Sequence, residues 1–116
     1  SMRTIADVRD AVEAYFLLLT NNPVPGEIYN IGGNFSCEIG EILDFLISIS
    51  TNKDIKYEVD SSRLRPIDAD NQIPNCSKFM SHTGWKPKIS FEKTLEDLLN
   101  FWRDQIKKYG NSFLQR

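Results

Sequence analysis

Between residues 7 and 20 the side chains Val8, Val12, Ala14, Tyr15, Phe16, Leu18 and Leu19 recur at roughly helical spacing. Asp7 precedes them as an N-cap, placed to accept from the orphan amides of a first turn. Asn21-Asn22-Pro23 stops the run, because proline has no N–H to donate to a continuing helix. After the turn residues Pro23, Pro25 and Gly26, residues 27–31 are apolar and aromatic and predict a short buried strand closed by Gly32-Gly33. Residues 35–39 can extend briefly. Ile39, Ile42, Leu43, Phe45, Leu46 and Ile49 then trace a second amphipathic helix, broken at 51–54. Residues 55–59 alternate with period two and predict a second, half-exposed strand. Residues 60–74 carry no period and read as a loop. Asn75 caps a short helix through Phe79 and Met80 that stops at Gly84, and Ser90 opens a last helix with the core stripe Leu95, Leu98, Leu99, Trp102 and Ile106, ending at Gly110.

That order predicts an α/β chain of α+β character, mostly helical with a small two-stranded sheet, in one domain over 1–116. Ser1-Met2 reads as a cloning remnant, followed almost at once by helix-forming material, and 111–116 as a fraying tail. With 116 residues and 41% hydrophobic content, one core is expected to bury about two-thirds of the unfolded surface. Fourteen Lys and Arg against 16 Asp and Glu leave a net charge of -2, so no bulk field draws the chain to nucleic acid or to an anionic membrane. Any bound anion has to be met by local arginines. Cys37 and Cys76 match neither a disulfide framework nor a metal knuckle, which predicts ordinary buried thiols in a reducing compartment. No apolar run nears the ~20 residues of a membrane-spanning helix and the N-terminus lacks leader features, so a soluble, cytoplasmic chain is expected.

Little catalytic chemistry is visible. A dinucleotide site needs a glycine-rich turn between a strand and a helix, and neither Gly26 nor Gly32-Gly33 has that context. The single histidine, His82, has no ligand or triad partners at the right spacing and reads as a surface residue. The pairs Glu38 with Glu41 and Glu96 with Asp97 fall on faces expected to be solvated. Residues 62–68 differ. Arg63 and Arg65 alternate on a segment read as extended ahead of Pro66, so both point to one side, and Asp68 follows three residues after Arg65. A guanidinium can bond two phosphate oxygens at once. Arg65 on a pyrophosphate and Asp68 accepting from ribose hydroxyls would suit a sugar nucleotide; the alternative is that all three are surface charges or mutual partners.

The order of motifs resembles the extended short-chain dehydrogenase/reductases that act on nucleotide sugars, most closely the GDP-mannose 4,6-dehydratase branch. Arg3-Thr4-Ile5-Ala6-Asp7-Val8-Arg9-Asp10 is similar to its Arg-acid-aromatic segment ending in V-x-D, with Thr4 and Ile5 in place of the acid and the aromatic. Residues 27–32 resemble its Y-N-(V/I)-G strand, Arg65-Pro66-Ile67-Asp68 its R-P-x-(D/E) clamp, and Thr83-Gly84-Trp85-Lys86-Pro87 its T-G-W-x-P motif. Residues 95–103 resemble its closing helix. The resemblance implies that this chain is the substrate-binding part and that a preceding Rossmann domain, absent from it, holds NAD or NADP and supplies the catalytic Ser/Thr, Tyr and Lys. No cofactor, metal or catalytic residue is expected in the chain itself. Arg3 and Arg65 would hold phosphate, with Arg63 on the same face and Asp68 on the ribose. The implied reaction is oxidation, elimination and re-reduction of GDP-mannose to the 4-keto-6-deoxy sugar, in a homo-oligomeric enzyme. A reductase of that product, a 4-epimerase using another nucleotide sugar, and a free-standing binding module without a catalytic partner remain as alternatives.

Overall fold

A three-stranded sheet lies where the sequence pattern predicted no strand but the brief extension at 35–39. In the computed structural model, which describes residues 1–66, 70–110 and 112, the middle strand is β1 (Met2–Ile5). On one side β2 (Phe35–Glu38) runs antiparallel to it, setting Arg3 opposite Cys37 and Ile5 opposite Phe35. On the other, β3 (Asn71–Gln72) runs parallel, with Arg3 opposite Gln72. Thr4 and Ile5 are β-branched, and the first residues therefore favour a strand over the helix-forming start expected of them. Met2 belongs to that strand.

The helices fall close to the pattern. Helix α1 (Val8–Thr20) starts at Asp7, whose carboxylate accepts from the Arg9 amide at 2.9 Å. Helix α2 (Ile39–Ile49) begins in a capping box, with the Glu38 amide donating to Glu41 at 2.6 Å, so this carboxylate pair has a structural task beyond solvation. The N-cap of α3 (Ser77–Thr83) is Cys76, one residue after the Asn75 expected from the sequence; Asn75 still accepts from the Ser77 amide at 3.0 Å, and α3 ends at Gly84 with φ 72°. Ser90 accepts from the Lys93 amide at 3.1 Å and opens α4 (Phe91–Tyr109), which ends at Gly110.

The two predicted strands at 27–31 and 55–59 form no ladder among the described residues. Alternation expresses a preference for a pleated, half-covered surface, and only a neighbouring strand turns that preference into a sheet. Residues 27–31 instead lean on helices: Tyr29 and Ile31 pack against the buried cluster of Ala14, Cys76, Phe79 and Trp85. From 55–59 the Tyr57 hydroxyl donates to Asp44 on α2 at 3.0 Å. The loop expected over 60–74 holds a 3-10 turn (Ser61–Arg63) and β3.

Two buried carboxylates tie the ends of the chain together. Asp10, 3% exposed, accepts from the Lys88 and Ile89 amides at 3.1 Å each, while the Trp85 indole donates to the Asp10 carbonyl at 3.0 Å. Asp7 accepts from Thr94 at 2.8 Å and from the Arg9 guanidinium at 2.9 and 2.8 Å. That fork holds the Asp7 carboxyl well below the usual carboxylate range. Asp97, read from sequence as a solvated charge, bridges Arg9 and Lys93.

The core buries less of the chain than the two-thirds expected from its length. The accessible surface is 9109 Å², against roughly 6,500 Å² for a folded monomer of this mass. The radius of gyration is 17.5 Å, against about 13 Å for a compact domain of this length. Val8, Phe16 and Leu19 on α1 are 65–74% exposed, and of the expected α4 stripe only Leu95 is buried. Helix α2 covers only part of the α4 stripe, around Leu99, and the cluster of Cys76, Phe79 and Trp85 meets α1 on the side that carries Ala14.

Candidate functional site

Arg3 stands in the middle strand, flanked by Cys37 on β2 and Gln72 on β3. Paired residues across a sheet point to one face, so Arg3 shares its face with Cys37, whose thiol is buried and pushed up by desolvation. Neighbouring side chains on β1 alternate, which sets Thr4 on the other face. There its hydroxyl lies 2.9 Å from the Ser36 hydroxyl and donates to the Gln72 carbonyl at 3.0 Å.

The arginine-bearing segment leaves α2 after the Tyr57–Asp44 hydrogen bond and rejoins the sheet at β3. Its beginning is shaped by Asp60, which accepts from the Ser62 amide at 3.0 Å and its hydroxyl at 2.6 Å and is lowered in pKa by them. The resulting 3-10 turn corrects the premise that 62–65 is extended with both arginines aligned. Arg63 closes that turn and bonds Asp60 through Nε at 3.1 Å, with its side chain 86% exposed. The turn follows from the local hydrogen bonds of Asp60 and Ser62, while Pro66 restricts only Arg65 directly before it. Arg65 lies beyond the turn, exposed, with no ion pair to another described residue. Asp68, the expected ribose ligand, lies outside the described residues. At its far end the segment is fixed by the Met2 amide donating to the Asp70 carbonyl at 2.8 Å and by the β1–β3 pairing. The strand that carries Arg3 and the segment that carries Arg63 and Arg65 are thus joined, seven residues beyond Arg65.

The glycines that might serve a dinucleotide have another use. A Cβ on Gly33 would lie 1.5 Å from the Ile5 carbonyl oxygen, and one on Gly32 would lie 2.4 Å from the Pro74 ring. Both are spent on packing the chain across the end of β1 and against Pro74, so neither is free to form a phosphate-cradling turn. His82 is also reassigned. Half-buried, its Nδ1 lies 3.1 Å from the Tyr29 hydroxyl and its Nε2 donates to the Asn22 carbonyl at 2.8 Å, fixing the 21–30 segment to α3. Among the described residues no group of His, Cys, Asp and Glu could hold a metal ion, and no helix is long and apolar enough to cross a membrane.

The buried Asp10 latches α1 to residues 88–89, a role its place in the motif does not reveal. Its signal was an acid one turn into an apolar helix, a place that solvated acids also favour. Among the surface hollows are one of about 310 Å³ between α1 and residues 27–31 and one of about 540 Å³ bounded by Thr4, Gly32, Gln72 and Pro74.

Comparison with known proteins agrees with this architecture. A family model described as GDP-mannose 4,6 dehydratase matches residues 1–98. A dTDP-D-glucose 4,6-dehydratase of Mus musculus is 34% identical over 107 residues, covering 89% of this chain and 30% of the relative. A GDP-6-deoxy-D-mannose reductase of Pseudomonas aeruginosa is 26% identical over 106 residues, covering 91% of this chain and 34% of the relative. The solved structure of RMD from Pseudomonas aeruginosa complexed with NADPH superposes with a TM-score of 0.74 at 25% identity, over 90% of this chain and 33% of that one. The chain spans about a third of the length of these relatives. With the family model matched over most of its residues, the chain belongs to the GDP-mannose 4,6-dehydratase family of extended short-chain dehydrogenase/reductases.

Proposed function

We propose that this chain captures the nucleotide diphosphate of a sugar nucleotide, GDP-mannose in the first instance, for an NAD(P)-dependent 4,6-dehydratase. Arg3 and Arg65 hold the pyrophosphate and Asp68 accepts from the ribose, while Arg63, paired with Asp60 and turned away from the common face, takes no part. The observation that carries the reading is the pairing of β3 with β1, which brings the end of the arginine-bearing segment into register with Arg3. Catalytic groups and cofactor belong to the remaining two-thirds of a longer protein, and the chain alone is not catalytic. The excess surface and the bare apolar side of α1 support that division, because a complete domain would cover them. We assign no chemical step to side chains of this chain: their work is to anchor the diphosphate, so that the hexose is presented at a fixed distance from it.

A sugar nucleotide gripped from one side gives up the contacts of the other wall, so affinity near 1 mM, about 4 kcal/mol, is expected for the chain alone. The test is a titration with GDP-mannose, GDP, UDP-glucose and dTDP-glucose at low salt, followed by backbone amide shifts. Saturable shifts at Arg3 and Arg65, weakened about tenfold or more by Arg65→Ala, fit the loss of a charge-assisted bond of about 1.5–3 kcal/mol. Saturable shifts that Arg65→Ala leaves unchanged would refute the clamp. A second reading differs in the base. The 34% identity to a dTDP-D-glucose 4,6-dehydratase favours a thymine nucleotide, and stronger shifts with dTDP-glucose than with GDP-mannose would select it.

A further inference from the structure

The Thr4 hydroxyl has a single proton and two neighbours. The Gln72 carbonyl at 3.0 Å can only accept, so Thr4 donates to it. The Ser36 hydroxyl at 2.9 Å must then donate to Thr4. The outcome is a directed relay of two hydroxyls across the sheet, from β2 through β1 to the main chain of β3. It reaches β3 at its last residue, where the strand is only two residues long and few other bonds hold it. Just downstream, the Pro74 ring fills the space that a Gly32 side chain would occupy, so the chain leaving β3 is also seated. What fixes the arginine-bearing segment to the sheet is therefore the Met2–Asp70 hydrogen bond, the short β1–β3 pairing and the Thr4 hydroxyl.

We propose that Thr4 is a positioning residue: its hydroxyl sets where the arginine-bearing segment rejoins the strand that carries Arg3, and so sets the separation of the two guanidinium groups that share one diphosphate. Thr4 lies on the opposite face of β1 from Arg3 and acts through β3 without meeting the anion. The inference rests on the diphosphate reading above, and its test separates the two.

Three variants of the chain suffice. Thr4→Val keeps the shape and removes the hydroxyl, Thr4→Ser keeps the hydroxyl, and Ser36→Ala removes the donor to Thr4 while leaving the bond to Gln72. Amide hydrogen exchange is measured at Met2 and 70–72, with the Lys88 and Ile89 amides, latched by Asp10 of α1, as the reference for global opening. Thr4→Val is expected to speed exchange at Met2 and 70–72 roughly five- to tenfold, the loss of one ordinary hydrogen bond, with the reference amides unchanged. Thr4→Ser and Ser36→Ala stay within about twofold of the parent. Under GDP titration, Thr4→Val weakens binding about threefold or more and Thr4→Ser restores it. Equal acceleration at the reference amides, unchanged exchange in Thr4→Val, or failure of Thr4→Ser to restore protection each overturn the proposal. If the parent chain binds no GDP at several millimolar while the exchange pattern holds, the diphosphate reading falls for this chain and the positioning of the segment by Thr4 stands.

Discussion

Replacing Asp10 by asparagine exchanges one carboxylate oxygen for an NH₂ and leaves the volume unchanged. In the native chain each Asp10 oxygen accepts one main-chain amide, from Lys88 and Ile89, both at 3.1 Å and out of water. The substituted amide can satisfy one of them and must turn its NH₂ toward the other, which leaves a buried donor without an acceptor. That orphan costs about 1–3 kcal/mol, and the surviving bond loses its ionic character, worth roughly another 1 kcal/mol. A carboxylate in the first turn of α1 also meets the positive end of the helix, adding about 0.3–1 kcal/mol. The expected loss is therefore about 2–5 kcal/mol. Urea unfolding followed by tryptophan emission reads it well, because Trp85 is 3% exposed and its indole donates to the Asp10 carbonyl. With a slope near 1–1.5 kcal/mol/M for a chain of this size, the midpoint should fall by about 2 M. Where the parent is only that stable, the variant should already emit as unfolded without urea. A midpoint within about 0.3 M of the parent would refute the account of Asp10 as a latch.

Acid should loosen the molecule through Asp7 and Asp97. Their carboxyls are lowered in the folded state, Asp7 by the Arg9 fork and Asp97 by Lys93 and then Arg9. The unfolded chain therefore binds more protons, so their stabilisation is complete above the free value of about 4 and is lost as pH falls through and below it. The melting temperature should drop between about pH 5 and about pH 2, and less so in Asp7→Asn; equal drops in both would exclude Asp7 as the cause. Gly33→Ala should destabilise by about 3 kcal/mol or more, because its Cβ would lie 1.5 Å from the Ile5 carbonyl oxygen and the end of β1 must move. Gly84→Ala meets open space and should cost only the 1–2 kcal/mol of a left-handed residue; thermal melts of equal depth would contradict the contrast.

Helices were legible because their signals are local. Asp7, Ser90 and Gly84 each act within one turn, and the structure uses each as the sequence implied. Strands were not, because the deciding partner is remote. Residues 27–31 carry the stronger strand pattern yet pair with no described strand, while Asn71 and Gln72, with no β preference, become β3 because β1 lies alongside. Within the site, the residue types at Arg3 and Arg65 could be read, but the 3-10 turn that removes Arg63 from a common face depends on the Asp60 carboxylate. Thr4 read as a mere departure from a family pattern. Its role emerges only once Ser36 and Gln72, at separations of 32 and 68 residues, are brought to it.

The latches that hold α1 join residues far apart in the chain: Trp85 to Asp10 across 75 positions, Ile89 to Asp10 across 79, and Thr94 to Asp7 across 87. Such closures come late in folding, since most of the chain must be ordered before any of them is rewarded. On a ribosome adding about 5–20 residues per second, β1 and α1 emerge ahead of the residues that close these latches and wait roughly 4 to 17 seconds for them. Throughout that interval the strand has bare edges and the helix a bare apolar stripe. The yield of native protein then depends on synthesis speed and on chaperones that shield nascent β1 and α1, and slower translation beyond α1 lowers it.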